Sequence, residues 1–135
     1  MKYKSHGNFF VLPNEIFLWG LAAGELAVYS FLRRCEDRKT RQCWPSIKTI
    51  GKAVNMSENT VRKYIRQLEE RGIITAEPTE VITKAGGKRN GNLRFTLRPI
   101  QEVIDEYYAR QMEDLELAAE RQRVAKLLGE RESPA

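Results

Sequence analysis

The amino-acid sequence predicts a mainly α domain with a small β-hairpin (α+β), followed by a long C-terminal helix. Three stretches carry that expectation. Residues 46–54 and 57–71 are short amphipathic segments separated only by Asn55 and Met56. Leu93, Phe95 and Leu97 alternate with Arg94 and Thr96 just after a glycine-rich run, the period-2 pattern of a half-buried strand. Residues 100–128 contain no glycine or proline and are rich in Glu, Ala, Leu, Gln and Arg, all good helix formers.

The 135 residues suffice for one small domain and an extension. Pro99 marks the expected boundary: residues 1–99 as the domain, residues 100–135 as a helical extension with a frayed tail. The longest apolar runs, residues 9–12 and 16–19, are far too short to span a bilayer. The N-terminus has no signal-peptide core, so the expected location is the cytoplasm, without a membrane partner. Residues 1–99 carry 18 Lys+Arg against 9 Asp+Glu, whereas residues 100–135 carry 5 against 9. A basic body favours a polyanion, most often nucleic acid. The acidic extension is not expected to lie along the same phosphates.

Other chemistry is poorly provided for. Cys35 and Cys43 lack metal-type spacing and read as two reduced thiols partly in the core. His6 is the only histidine, which argues against a zinc site. No glycine-rich phosphate loop or nucleophile elbow appears. Neither an enzyme nor a cofactor or metal is therefore expected, and no small-molecule pocket is legible.

In chain order, residues 1–8 are polar and expected to be ragged. Pro13 stops the apolar run that follows. Residues 14–18 read as one helical turn, with Ile16, Phe17 and Trp19 packing inward. Residues 24–36 form the first long helix, whose apolar side is Val28, Phe31, Leu32 and Cys35; its start is weakly signalled. After a polar loop, Cys43 and Trp44 suggest a minimal strand. Pro45 bars helix on its N-terminal side, and Ser46 caps a second helix with Ile47, Ile50 and Val54 on one face. Gly51 costs that helix about 1 kcal/mol relative to Ala, which makes sense only where another backbone comes close. Asn55 tolerates the left-handed backbone of a turn, and Met56 fills the space between the helices.

The third helix is the informative one. Ser57 is its N-cap, and Glu58 puts negative charge at the positive end of the helix dipole. Val61, Ile65 and Leu68 recur at i, i+4, i+7, one buried face. Gly72 suits the left-handed cap beyond the last turn. On the other side, Asn59, Arg62, Lys63 and Arg66 share a face by their spacings of three and four. Arg grips guanine bidentately, Asn does so for adenine, and Lys meets phosphate or guanine.

Residues 73–83 then read as a strand broken or bent near Pro78, residues 85–92 as a turn, and Leu93 onward as the returning strand. From residue 81 to residue 101 there are five basic residues and no acidic one. Lys88, Arg89 and Asn90 at the hairpin tip are expected to touch phosphate or enter the minor groove. In the extension, the apolar stripe begins with Ile100, Val103, Ile104, Tyr107 and Tyr108. It thins to Leu115, Ala118 and Ala125, or to Leu117, Val124 and Leu128, which is not a clean heptad seam. Gly129 is the expected stop, and the far half is a candidate surface for a homodimer.

The order Gly51, Asn55, Met56, Ser57, Val61 resembles the helix-turn-helix of bacterial DNA-binding proteins, although that pattern usually has Ala at the first position and Gly at the second. With the hairpin behind it, residues 9–97 look like the winged helix-turn-helix of bacterial regulators and of plasmid and phage replication initiators. Pro13-Asn14, Val28-Tyr29 and Trp44-Pro45-Ser46 resemble the initiator-like branch. The resemblance implies that the helix after the turn enters the major groove and that the wing touches backbone or minor groove. Asn59, Thr60, Arg62, Lys63 and Arg66 become groove or phosphate contacts, and Ser46 and Lys48 phosphate contacts. The expected function is sequence-specific double-stranded DNA binding by a transcriptional regulator of a bacterial chromosome or mobile element. Replication initiation and protein–protein assembly are the alternatives.

Overall fold

The computed structural model describes residues 8–132, with side chains through residue 129. The residues expected to be ragged at either end, 1–7 with His6 and 133–135, lie outside the described residues. The chain divides into two compact units, Met1–Ile100 and Gln101–Ala135.

The first unit begins with a single 3-10 turn, Asn14–Leu18. Then follow α1 (Ala23–Cys35), β1 (Gln42–Cys43), α2 (Ile47–Val54), α3 (Glu58–Glu70), β2 (Ile74–Glu77), β3 (Glu80–Ile82), β4 (Lys88–Asn90) and β5 (Arg94–Leu97). Strands β1, β5 and β2 form an antiparallel sheet in that order, and β3 and β4 form a second, two-stranded ladder. Val28 and Leu32 of α1, Ile50 of α2, Val61 and Leu68 of α3, and Phe95 and Leu97 of β5 are fully buried. This core is where the 3.6 and 2.0 periodicities of helices and strand meet.

The sequence signals for α1 were weak because its cap is not a Ser or Asp. The Ala22 N–H instead donates to Oε1 of Glu25, 3.3 Å away. Glu25 is buried, and Arg71, just beyond α3, grips it with two nitrogens. Glu25 is thereby both the cap of α1 and a tie between α1 and the end of α3.

Two expectations for this unit need correction. Phe17 does not pack inward; it is 80% exposed, while Ile16 and Trp19 are buried. A 3-10 turn has three residues per turn, so positions i and i+3 eclipse and the residue between them points elsewhere. The hairpin turn does not span residues 85–92. The break at Pro78, between β2 and β3, is the one expected, but residues 88–90, expected in the turn, form β4 against β3. The turn is shorter and earlier, with the Thr83 N–H donating to the Gly87 carbonyl at 2.7 Å.

The second unit is the body of one helix, α4 (Ile100–Glu132). It does not stop at Gly129, and residues 130–132, expected to be frayed, are helical. Gly129 has no positive φ. An interior glycine costs helix about 1 kcal/mol but does not forbid it. Leu117, Val124 and Leu128 are more than 40% exposed along this helix.

Candidate nucleic-acid interface

The site is built on the α2–turn–α3 segment. The Ser46 hydroxyl accepts from the Thr49 N–H at 3.0 Å and donates to Thr49 Oγ1 at 2.8 Å, which fixes the start of α2. The Ser46 side chain is thus committed to the cap. What the α2 terminus offers an anion is its first backbone N–H groups, which have no intrahelical acceptor. The helix ends at Asn55, whose φ of 57° and ψ of 50° are left-handed. The Met56 N–H donates to the Gly51 carbonyl at 2.9 Å. A Cβ on Gly51 would lie 2.7 Å from the Met56 carbonyl oxygen, so the tight turn needs glycine there.

Ser57 then caps α3. Its hydroxyl accepts from the Thr60 N–H at 3.2 Å and lies 2.8 Å from Thr60 Oγ1. Val61, Ile65 and Leu68 face the core, and Asn59, Arg62, Lys63 and Arg66 are exposed on the other side. Arg62 Nη1 donates to Asn59 Oδ1 at 3.3 Å, which holds the two side chains together. Lys63 Nζ stands 5.3 Å from the centroid of the Tyr64 ring. Thr60 is half-buried, its hydroxyl turned to Ser57. Glu70 follows Arg66 by four residues and closes the basic face with a negative charge.

Lys48 is exposed on α2, and so is Lys52 one turn on. Both line an open cleft of about 570 Å³ beside the turn, with Asn55, Ser57 and Glu58. Sequence reasoning named Lys48 and missed Lys52; their i, i+4 spacing was the available signal.

The hairpin distributes its polar residues by register. Val81 pairs with Arg89, Ile82 with Lys88, and Glu80 with Asn90. Directly opposed residues share a face of an antiparallel ladder. Arg89 therefore lies on one face with Val81, and Lys88 and Asn90 on the other with Glu80 and Ile82. The three residues expected to act together are split. Lys88 Nζ is 3.7 Å from Glu80 Oε2, an exposed pair worth little, and Arg94 is paired with Glu77. The Asn92 amide donates to the Trp44 carbonyl at 3.1 Å, which anchors the hairpin root beside the start of α2.

Cys43 is buried and donates to the Leu32 carbonyl at 3.7 Å. Burial, and then the neighbouring Cys35 thiol, push its pKa up to about 12. Burial likewise raises Cys35, opposed by Arg34. Among the described residues no three metal-ligating side chains cluster, and no helix is long and apolar enough to cross a membrane.

Residues 20–74 match the family model of a helix-turn-helix domain. Among solved structures, the chain is similar to one described as a possible transcriptional regulator from Methanosarcina mazei, at 17% identity and TM-score 0.44, over 85% of this chain and 82% of that one. It is similar to a MarR family transcriptional regulator from Silicibacter pomeroyi at 18% identity and TM-score 0.43, over 87% and 74%. No curated protein matches the sequence. The helix-turn-helix match runs from the approach to α1 through the first residue of β2. With the β2–β5 hairpin behind it, the first unit is a winged helix-turn-helix domain, a fold of DNA-binding proteins.

Proposed function

We propose that the protein is a sequence-specific double-stranded DNA-binding transcriptional regulator. The observation that supports this most is the exposed face of α3, where Asn59, Arg62, Lys63 and Arg66 stand opposite the buried stripe of Val61, Ile65 and Leu68. In this reading Asn59, Arg62 and Lys63 read base edges. Thr60, Arg66, Lys48, the capped α2 terminus at Ser46 and the wing residues Lys88, Arg89 and Asn90 fix register on phosphates. The role is binding and not catalysis, and it places the protein in the cytoplasm. Fluorescence anisotropy against the duplex upstream of its own gene, beside a scrambled duplex at about 0.15 M salt, tests it. Tight binding to the upstream duplex alone supports an autoregulator. Equal, weak binding to both moves the target elsewhere, with a replication origin next. No binding even at low salt ends the DNA reading.

The acting form is a homodimer joined through α4. Residues 100–120 carry seven acidic residues and one basic, and residues 121–129 carry three basic and none acidic. This polarity favours antiparallel pairing with a second copy of the helix, which sets the basic end of one against the acidic part of the other. Leu117, Val124 and Leu128 supply the apolar contact.

A further inference from the structure

A cavity of about 370 Å³ lies between the chain that enters the first unit and the end of α1. Four guanidiniums line it: Arg33 and Arg34 from the last turn of α1, and Arg38 and Arg41 from the loop that follows. One carboxylate, Glu36, shares the wall. Phe9 and Phe10 form an apolar side and are 70% and 42% exposed.

Two observations separate this cavity from an ordinary charged surface. The first is unmet polar demand on two residues of its wall. The side chains of Arg33 and Glu36 are paired and only 9% and 6% exposed. Even so, Arg33 Nε and Glu36 Oε2 find no hydrogen-bond partner among the described residues. The second is crowding of like charge. Burial lowers the Arg33 pKa most, and Arg41 and Arg38 lower it further against the opposing pull of Tyr29. Arg33 thus feels two further guanidiniums, a repulsion that an anion among them relieves.

The position also matters. The Arg41 carbonyl accepts from the Leu97 N–H at 2.9 Å, at the end of β5. From there β1 runs back along β5 until the Trp44 carbonyl meets Asn92 at the wing root. The arginine loop therefore sits at the end of the sheet away from the wing turn. DNA lying against that turn is not the occupant.

We propose that this cavity is a binding site for a small phosphorylated ligand with a flat ring, a nucleotide being the simplest class. Guanidiniums take phosphate oxygens in bidentate pairs. Phe9 and Phe10 offer the ring an aromatic face. The volume lies in the range of small-molecule sites. The site stands independently of the DNA-binding proposal.

The experiment is isothermal titration of the full chain with AMP, inorganic phosphate and adenosine, at about 0.15 M salt to suppress loose ion pairing. AMP is expected to bind at least about tenfold tighter than phosphate or adenosine alone. Arg38→Ala and Arg34→Ala, both at exposed positions, are expected to weaken AMP by about tenfold each, the worth of a charged hydrogen bond. Phe10→Ala is expected to bring AMP down toward phosphate. Unchanged melting curves identify these as effects on binding. No heat with AMP, equal affinity for AMP and phosphate, or AMP binding untouched by either arginine variant would overturn the proposal.

Discussion

Arg71 donates from Nε and Nη2 to the two carboxylate oxygens of Glu25, across 46 residues of sequence, while Nη2 also reaches the Gly20 carbonyl at 3.1 Å. Glu25 is 3% exposed, whereas Arg71 is 38% exposed. The asymmetry decides what each substitution does. Arg71→Ala leaves a buried carboxylate with the Ala22 N–H as its remaining donor, and destabilises the domain by about 1–3 kcal/mol, discounted for the solvent that already reaches Arg71. Urea denaturation measures it; an unmoved midpoint would mean that water replaces the guanidinium at no cost.

The same pair shows where sequence reasoning stopped. Ser46, Gly51, Asn55 and Ser57 announced the α2–turn–α3 geometry because each acts on backbone within five residues of itself. The face of α3 followed from period alone. The Glu25–Arg71 tie, the β3–β4 register and the arginine cavity join residues distant in the chain, and no local pattern encodes them. Residues 88–90 resembled a turn by composition, and pairing with β3 overrode that. Phe9 and Phe10 read as one more apolar run, and Arg38 and Arg41 as part of a polar loop.

Gly51→Ala sets two effects against each other. Alanine gains about 1 kcal/mol of helix propensity. Its Cβ would lie 2.7 Å from the Met56 carbonyl oxygen, a backbone atom fixed by the turn. Overpacking of this kind costs about 1–3 kcal/mol, so the variant is expected to melt lower than the native protein. A higher melting temperature would show that the turn relaxes freely.

The DNA proposal separates base from phosphate contacts by their salt and sequence dependence. Arg62→Ala should cost about 1–3 kcal/mol on the cognate duplex and little on a scrambled one. Arg89→Ala should weaken both alike and lower the salt slope by about one. Lys88→Ala should change the slope less, since Glu80 already shares its charge. Equal losses on both duplexes for Arg62→Ala would remove its base-reading role.

Alkaline pH should unfold the domain through two buried acids. The Cys43 thiol is raised from 9.0 to about 12, mainly by burial, and the Tyr29 phenol from 10.0 to about 12, mainly by burial with Arg33 opposing. Both folded values exceed the unfolded ones, so the unfolded chain releases these protons first. Their contribution to stability is complete below pH 9 and is lost as pH rises toward 12. Melting temperature is therefore expected to fall from about pH 9 upward, and Cys43→Ala to make the onset shallower. An identical profile in that variant would assign the fall to other groups.

If α4 pairs antiparallel with a second copy, its apolar and charged determinants can be tested apart. Val124 is 46% exposed and lies seven residues after Leu117 and four before Leu128, so the three line one side of the helix. Val124→Glu puts a charge in the middle of that stripe and is expected to shift sedimentation from dimer to monomer, with the first unit still folded by circular dichroism. High salt should weaken the native dimer, because the acidic and basic segments attract at distances that salt screens. Reversing the polarity of one segment, with Arg121→Glu and Arg123→Glu, should abolish self-association and permit pairing with a second chain whose acidic segment is changed to lysine. A native protein that sediments as a monomer at micromolar concentration would leave α4 without this partner.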